Sequence, residues 1–218
     1  MFAYFTIFGK TVGLYAVCAV IGLAVCCFFA TVCLKKIGLE FEDVLLILLV
    51  AVGGLLVGGH ILYGATQYRV LFAALPRVKS VKSLWQVLLY CFGGSVFYGG
   101  FIGLFIALPV YLKIKRFENP GYIKDVAAVC VPLFHAFGRV GCFFGGCCYG
   151  IESSFGFTVY HNDLNPAING VRRFPTPLLE AACNLLIFFI GAFICLFYQL
   201  MGGFIQLFFK FLHQYLPP

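Results

Sequence analysis

The sequence predicts an all-α, polytopic transmembrane helical bundle of about five to six spans with interfacial half-helices. Three observations lead there. Hydrophobic residues fill 62% of the 218 positions and charged ones only 11%, whereas soluble domains average about 25% charged and 45–50% apolar residues. Mean hydropathy is +1.01. Several runs also approach the roughly 20 apolar residues that cross a bilayer core. The chain reads as one integral membrane domain, residues 1–218, with 151–177 as a short extracytoplasmic segment.

The first span is Thr11 to Leu34. Lys10 ahead of an apolar run suggests a signal peptide, but the run exceeds the h-region length of about 7–15 residues and ends in Lys35-Lys36. It reads as a retained membrane helix. The second span, Val44 to Tyr63, carries Gly53-Gly54 and Gly58-Gly59-His60. Small residues so spaced let helix backbones pack closely in lipid. His60 is an ionisable group at membrane depth and so a functional candidate. Tyr68 to Trp85 is a polar interruption with Arg69, Pro76, Arg77, Lys79 and Lys82. It fits an interfacial loop or half-helix with Trp85 at headgroup level.

The third span is Ser95 to Leu112, with glycine pairs at 93–94 and 99–100 that mark irregular backbone, tolerated at depth against protein or a wet cavity. A polar turn over 113–121 leads to the fourth span, from Asp125 through a kink at Pro132. Residues 151–177 hold Asn-Asp, Asn-Pro and Asn-Gly turn signals. The fifth span is Leu178 to Leu200; Gly202-Gly203 is read as an interruption, leaving Phe204 to Leu212 too short to cross unaided.

The fourth span ends in His135-Ala-Phe-Gly-Arg-Val-Gly-Cys-Phe-Phe-Gly-Gly-Cys-Cys-Tyr-Gly150. A cation at the centre of a lipid-exposed helix costs roughly 2.5–3.5 kcal/mol on insertion scales. Arg139 is therefore expected to face other helices or a polar cavity and to meet something negative. In a helix, His135, Arg139 and Cys142 share one face. The Gly-Gly and Cys-Cys pairs beyond then end the helix in a turn whose N–H groups suit an anion. Four readings stay open at this level. One is structural packing with Arg139 snorkelling to the interface. The second is a headgroup site with a bidentate arginine–phosphate contact. The third is a metal site of Cys142, Cys147, Cys148 and His135, although C-x4-C-C lacks the usual zinc spacing. The last is a redox pair, with Cys147 or Cys148 reaching Cys142. The eight other cysteines lie in apolar runs, where cysteine acts as a small hydrophobe.

A second constellation is Arg172-Arg173-Phe-Pro-Thr-Pro-Leu-Leu-Glu180. An acid near a helix start and a proline in its first turn explain part of it. Two arginines just before a membrane entry suit an anionic ligand. Glu180 and Asn184 share a helix face.

Gly138-Arg139-Val140-Gly141-Cys142-Phe143 resembles the G-R-x-G-N-F signature of the prolipoprotein diacylglyceryl transferase family. Residues 93–100, GGSVFYGG, are similar to its G-G-M-S-F-H-G-G segment, residues 173–180, RFPTPLLE, to R-H-P-S-Q-L-Y-E, and residues 58–63, GGHILY, to G-G-R-L-G-Y. The pieces occur in the family's order. Tyr98 stands where the family has histidine, His60 where it has arginine, Cys142 where it has asparagine, and Cys147 where it has an acid. The family's Y-G-x-x-R-x-x-x-E motif has no clear counterpart before Pro218.

The resemblance implies a multi-pass plasma-membrane enzyme of a bacterium. It would move the diacylglyceryl group of phosphatidylglycerol to the lipobox cysteine thiol of a prolipoprotein, releasing glycerol-1-phosphate, with no cofactor or metal. A free thiol, pKa about 8.5, is only slightly ionised near neutrality, so such a site needs a proton acceptor as well as a cation for the phosphate. By resemblance Arg139 and Arg173 take the phosphate. His135 or Tyr98 handles the proton. Gly138, Gly141 and Gly150 shape the site, and Cys142, Glu180, His60, Gly99 and Gly100 line it. The alternatives are the same donor with another acceptor, or a non-catalytic lipid-binding or thiol-redox membrane protein.

The net charge of +7 favours anionic lipid surfaces. Nucleic acid is excluded as a partner, because the basic residues are scattered between spans. Lys35-Lys36 and Lys113/Lys115/Arg116 are assigned to the cytoplasm, on the premise that the other cations bind headgroups on the outer side. An impermeant amine reagent applied to intact cells should therefore leave Lys35 and Lys36 unlabelled; labelling from outside reverses the orientation.

Overall fold

The computed structural model describes residues 4–7, 10–146, 148–160 and 166–215, with side chains over 12–146, 148–160 and 166–197. Strands β1 (Tyr4–Ile7) and β2 (Lys10–Gly13) form an antiparallel pair, Tyr4 opposite Gly13 and Ile7 opposite Lys10. Then come α1 (Leu14–Lys35), α2 (Phe41–Thr66), α3 (Tyr68–Ala74), a 3-10 turn (Leu75–Arg77), α4 (Val81–Phe92), α5 (Phe97–Lys115) and α6 (Pro120–Gly145). The chain finishes with β3 (Glu152–Thr158), a 3-10 turn (Pro166–Ile168), β4 (Arg172–Arg173) and α7 (Thr176–Tyr215). Among the described residues five helices, α1, α2, α5, α6 and α7, are long and apolar enough to cross a membrane. The helical architecture is the expected one, with two small hairpins added.

Several boundaries shift for physical reasons. Thr11-Val12-Gly13 belongs to β2 rather than to the first span, as two β-branched residues followed by glycine favour. α2 starts three residues before Val44 and carries Glu42 and Asp43 in its first turn, where the helix dipole favours acids. α4 is the expected half-helix, opened by a capping box between Ser80 and Ser83. α6 runs through Pro132 to Gly145. α7 continues as helix across Gly202-Gly203 to Tyr215. Each glycine weakens a helix by about 1 kcal/mol relative to alanine, which apolar neighbours of good propensity can absorb.

The chain divides into two compact units, residues 33–124 and residues 1–32 with 125–218. In the first, α2 and α5 pack through facing small-residue stripes, Gly54 and Gly58 against Gly99 and Gly103. A Cβ at Gly58 would run into the Gly99 carbonyl oxygen and lie 2.8 Å from the Gly103 Cα. One at Gly54 would lie 2.8 Å from the Gly103 oxygen. Backbone touches backbone here, as GxxxG spacing permits in lipid. In the second unit α1, α6 and α7 meet. Gly22 lies under the Phe137 ring, Cys26 and Cys130 exchange thiol-to-carbonyl contacts at 3.5 and 3.7 Å, and Phe29 meets Phe188 edge-on at 5.2 Å. Cys26, Cys33, Cys91 and Cys195 are buried, as expected of small hydrophobes, whereas Cys183 is exposed.

Gly58→Ala should destabilise the protein by about 1–3 kcal/mol, the usual effect of overpacking, as read from its unfolding midpoint in mixed detergent. Gly53→Ala, whose added Cβ meets nothing within 4 Å, should be neutral or slightly stabilising.

Candidate functional site

α6 delivers the motif on its last turns and stops where the glycines begin. Helix ends at Gly145, and Gly146 takes a left-handed φ of 65°, a conformation that glycine adopts without steric penalty. Cys147 lies outside the described residues. Pro175 and Pro177 flank the start of α7 at Thr176, where proline's fixed φ suits a first turn.

The two helices meet through a polar ladder. Arg139 on α6 forms a salt bridge with Glu180 on α7. One turn away His135 is hydrogen-bonded with Asn184, whose Nδ2 also donates to the Glu180 backbone oxygen at 2.7 Å. Residue numbers rise on one helix as they fall on the other, so the pair is antiparallel, and Val129 against Gly191 continues the same register. Two polar residues at i, i+4 spacing on each helix, four in all, thus close into two rungs. The side chains of Arg139 and Glu180 remain 21% and 40% exposed, although the bridging Glu180 Oε2 and the Arg139 Nε are themselves buried.

The segment after α6 is held by both candidate arginines. Arg139 donates from Nη1 towards Cys148 Sγ at 3.7 Å. Arg173 donates to the Gly150 carbonyl at 3.1 Å, pairs with Glu152 at 3.4 Å, and sets its guanidinium 4.9 Å from the centre of the Tyr149 ring. β3 and β4 pair antiparallel with an irregularity, so that Arg173 faces both Glu152 and Phe157. Gly156, at φ 140°, lies against the Arg173 carbonyl, and Gly150 against the Phe174 carbonyl and Thr176 Oγ1. A side chain at Gly156 would push against Arg173 itself, and one at Gly150 against Phe174 and Thr176. The Nε atoms of both arginines are buried and lack a hydrogen-bond partner among the described residues.

The remaining candidates are placed as follows. Gly141 is buried against Tyr15 and Cys18 of α1, at 3.0 and 3.3 Å from an added Cβ, while an added Cβ at Gly138 meets nothing within 4 Å. Cys142 sits half-buried on α6. In the other unit, His60 Nδ1 lies 2.8 Å from both the Phe92 and Gly94 carbonyls. It thereby clamps α2 to the break between α4 and α5. Gly99 and Gly100 are buried against α2, and Tyr98 is 72% exposed with its ring 6.0 Å from Phe97. These four make helix contacts or lie open within residues 33–124, whereas the other eight belong to the unit of α6, α7 and the β3–β4 hairpin. Tyr149 and Asn184 join the site unassigned. Asn184 was detectable from its spacing to Glu180, and the alternation Phe155-Gly156-Phe157 was the available sign of a strand.

Comparison with known proteins gives this constellation a context. The family model for prolipoprotein diacylglyceryl transferase matches residues 3–215. The chain belongs to that family. A Dehalococcoides mccartyi relative named phosphatidylglycerol–prolipoprotein diacylglyceryl transferase is 39% identical over 102 residues, 46% of this chain and 39% of its own length. A relative of the same name from Clostridium tetani is 25% identical over 185 residues, 85% of this chain and 70% of its own. One from Clostridium perfringens, bearing that name with the number 2, is 32% identical over 185 residues, 80% of this chain and 66% of its own. The match thus spans about two fifths of the Dehalococcoides relative. Family membership and the five long apolar helices make the chain a multi-pass membrane protein.

Removing one partner of the interhelical ion pair strands the other charge, so Glu180→Gln or Arg139→Met alone should each lower stability by on the order of 1–3 kcal/mol. The double variant Arg139→Met/Glu180→Leu should recover most of that loss, since a matched apolar pair replaces a matched charged one. Detergent-unfolding midpoints of the four proteins check this.

Proposed function

We propose that the chain transfers the diacylglyceryl group of phosphatidylglycerol to the thiol of a prolipoprotein lipobox cysteine in the bacterial plasma membrane. The thiolate sulfur attacks the glycerol carbon that carries the phosphate ester. A carbon–sulfur bond forms, the carbon–oxygen bond breaks, and glycerol-1-phosphate leaves with the electron pair. The thiol proton passes to a base. The observation that carries this reading is the convergence of Arg139 and Arg173 on the short stretch 148–152, each with a buried Nε donor in reserve. Two guanidinium groups suit a phosphodiester whose negative charge grows as the bond breaks.

Glu180 and Glu152 hold the two guanidiniums where a phosphate can take over some of their hydrogen bonds. His135 is the proton acceptor in this reading, because it lies one turn from Arg139 and Asn184 orients its ring. Tyr98, exposed on α5, is the other proton-handling candidate that the family resemblance offers. Gly150 and Gly141 hold the flanking backbone, one beside Phe174 and one beside α1.

A second reading keeps the donor and changes the acceptor. It is favoured by Cys142 and Tyr98, which stand where the family pattern has asparagine and histidine.

Purified protein incubated with doubly labelled phosphatidylglycerol and a lipobox peptide should label the peptide and release glycerol phosphate. Arg139→Ala and Arg173→Ala should each lower the rate by about 10²–10³, the usual loss for one charge-stabilising donor, with circular dichroism unchanged. Release without peptide labelling favours the second reading. Neither signal from folded protein removes both. Changing Cys142, Cys147 and Cys148 together to serine should leave transfer intact; if that variant alone is inactive, thiol chemistry replaces the transferase reading.

A further inference from the structure

Residues 68–92 form the part of the chain that the transferase reading leaves unused. α3 and α4 have 7 and 12 residues, too few to cross a bilayer at 1.5 Å per residue. They are also too apolar for water alone. Phe72, Val81, Trp85 and Tyr90 are 68%, 84%, 61% and 69% exposed. A short helix with exposed aromatic and aliphatic side chains and cations beside them lies in the membrane interface. The segment carries Arg69, Arg77, Lys79 and Lys82 and no acid; the stretch from Val44 to Phe117 holds no Asp or Glu at all.

Between α3, its 3-10 extension and α4 lies a groove of about 440 Å³. Its walls combine the guanidinium-bearing Arg69 and Arg77 with apolar Val70, Ala73 and Val87. Arg69 is braced by Tyr68, whose phenol oxygen accepts from its Nε at 2.9 Å and whose ring lies 5.7 Å from its Cζ. That leaves the outer face of the guanidinium for another acceptor. Arg77 closes the 3-10 turn eight residues later. Two cations with no acid in the segment, over an apolar floor, complement a ligand with an anionic head and an apolar body.

We propose that this groove is a binding site for an anionic phospholipid of the surrounding bilayer. Arg69 and Arg77 hold its phosphate, and Val70, Ala73 and Val87 receive the upper part of an acyl chain. Neither arginine belongs to the α6–α7 constellation, so the site holds lipid whether or not the transferase reading stands.

The full chain is reconstituted in phosphatidylcholine vesicles doped with diazirine-acyl phosphatidylglycerol or, at equal mole fraction, diazirine-acyl phosphatidylcholine. After illumination, peptides covering residues 68–92 are mapped by mass spectrometry. Phosphatidylglycerol should label them about fivefold more than phosphatidylcholine, the order expected of one cation acting at a lipid surface. Arg69→Gln/Arg77→Gln should bring the two lipids to parity. Lys79→Gln/Lys82→Gln, which removes equal charge outside the groove lining, should keep most of the excess. Parity in the unchanged protein overturns the proposal. Equal loss in the lysine variant also overturns it, since diffuse surface charge then accounts for the excess. So does loss of the excess on adding inorganic phosphate at constant ionic strength, which would make the ligand a soluble anion.

Discussion

The Arg139–Glu180 ion pair is the constraint from which the rest of the site follows. A guanidinium on an apolar helix must be compensated, and compensation from a neighbouring helix fixes where that helix can lie. Once Arg139 and Glu180 meet across an antiparallel pair, residues one turn away on each helix must also meet. The rung of His135 and Asn184 is therefore a consequence of the first. The same pair bears on the proposed phosphate contact: a guanidinium fork that pairs with a carboxylate pairs with a phosphate in similar geometry.

Arg173 reaches the same short stretch by different means. It sits on a two-residue strand, which has no rigidity of its own. Its position is set by close backbone contacts on both sides, Gly156 against its own carbonyl and Gly150 against that of Phe174. Pro175 and Pro177 then turn the chain into α7. The glycines here permit approach, whereas those of α2 and α5 permit packing along a whole interface. One residue type serves two ends because both need a missing Cβ. Only neighbours in space distinguish them.

The long spans were legible from residues because a bilayer imposes a length and an apolar composition that no single substitution disguises. The amphipathic half-helix α4 was legible from Trp85 and the cations around it. The i, i+4 spacing of His135 with Arg139, and of Glu180 with Asn184, was also visible. Their meeting was not, because nothing in either run states which face of one helix finds the other. The hairpins were missed for a related reason. Two-residue β4 and the irregular β3 carry almost no periodicity, and their pairing rests on Gly156 at a φ that no sequence pattern announces. His60 shows what membrane depth alone does not tell. An ionisable group there suggested a ligand site, and its Nδ1 lies between two carbonyls beside the Gly93-Gly94 break, a structural contact that depth alone does not announce.

The distribution of acids separates two uses of cations in this chain. Beside α6 and α7, Arg139 has Glu180 and Arg173 has Glu152. Each charge there is already matched, and a ligand must compete with a carboxylate. That suits a site that must bind a phosphate, let it leave and return to a neutral resting state. Between Val44 and Phe117 no carboxylate exists to perform that service, although seven lysines and arginines lie in the stretch. Lys115 and Arg116 share a cavity with Asp43 and Glu118 from its two ends, but Arg69, Arg77, Lys79 and Lys82 lie in a segment with no acid, and in a bilayer the abundant fixed anions are lipid phosphates. Carboxylate-paired arginines suit the proposed turnover of an anion, whereas cations over an apolar floor, with no acid in their segment, suit the proposed retention of one.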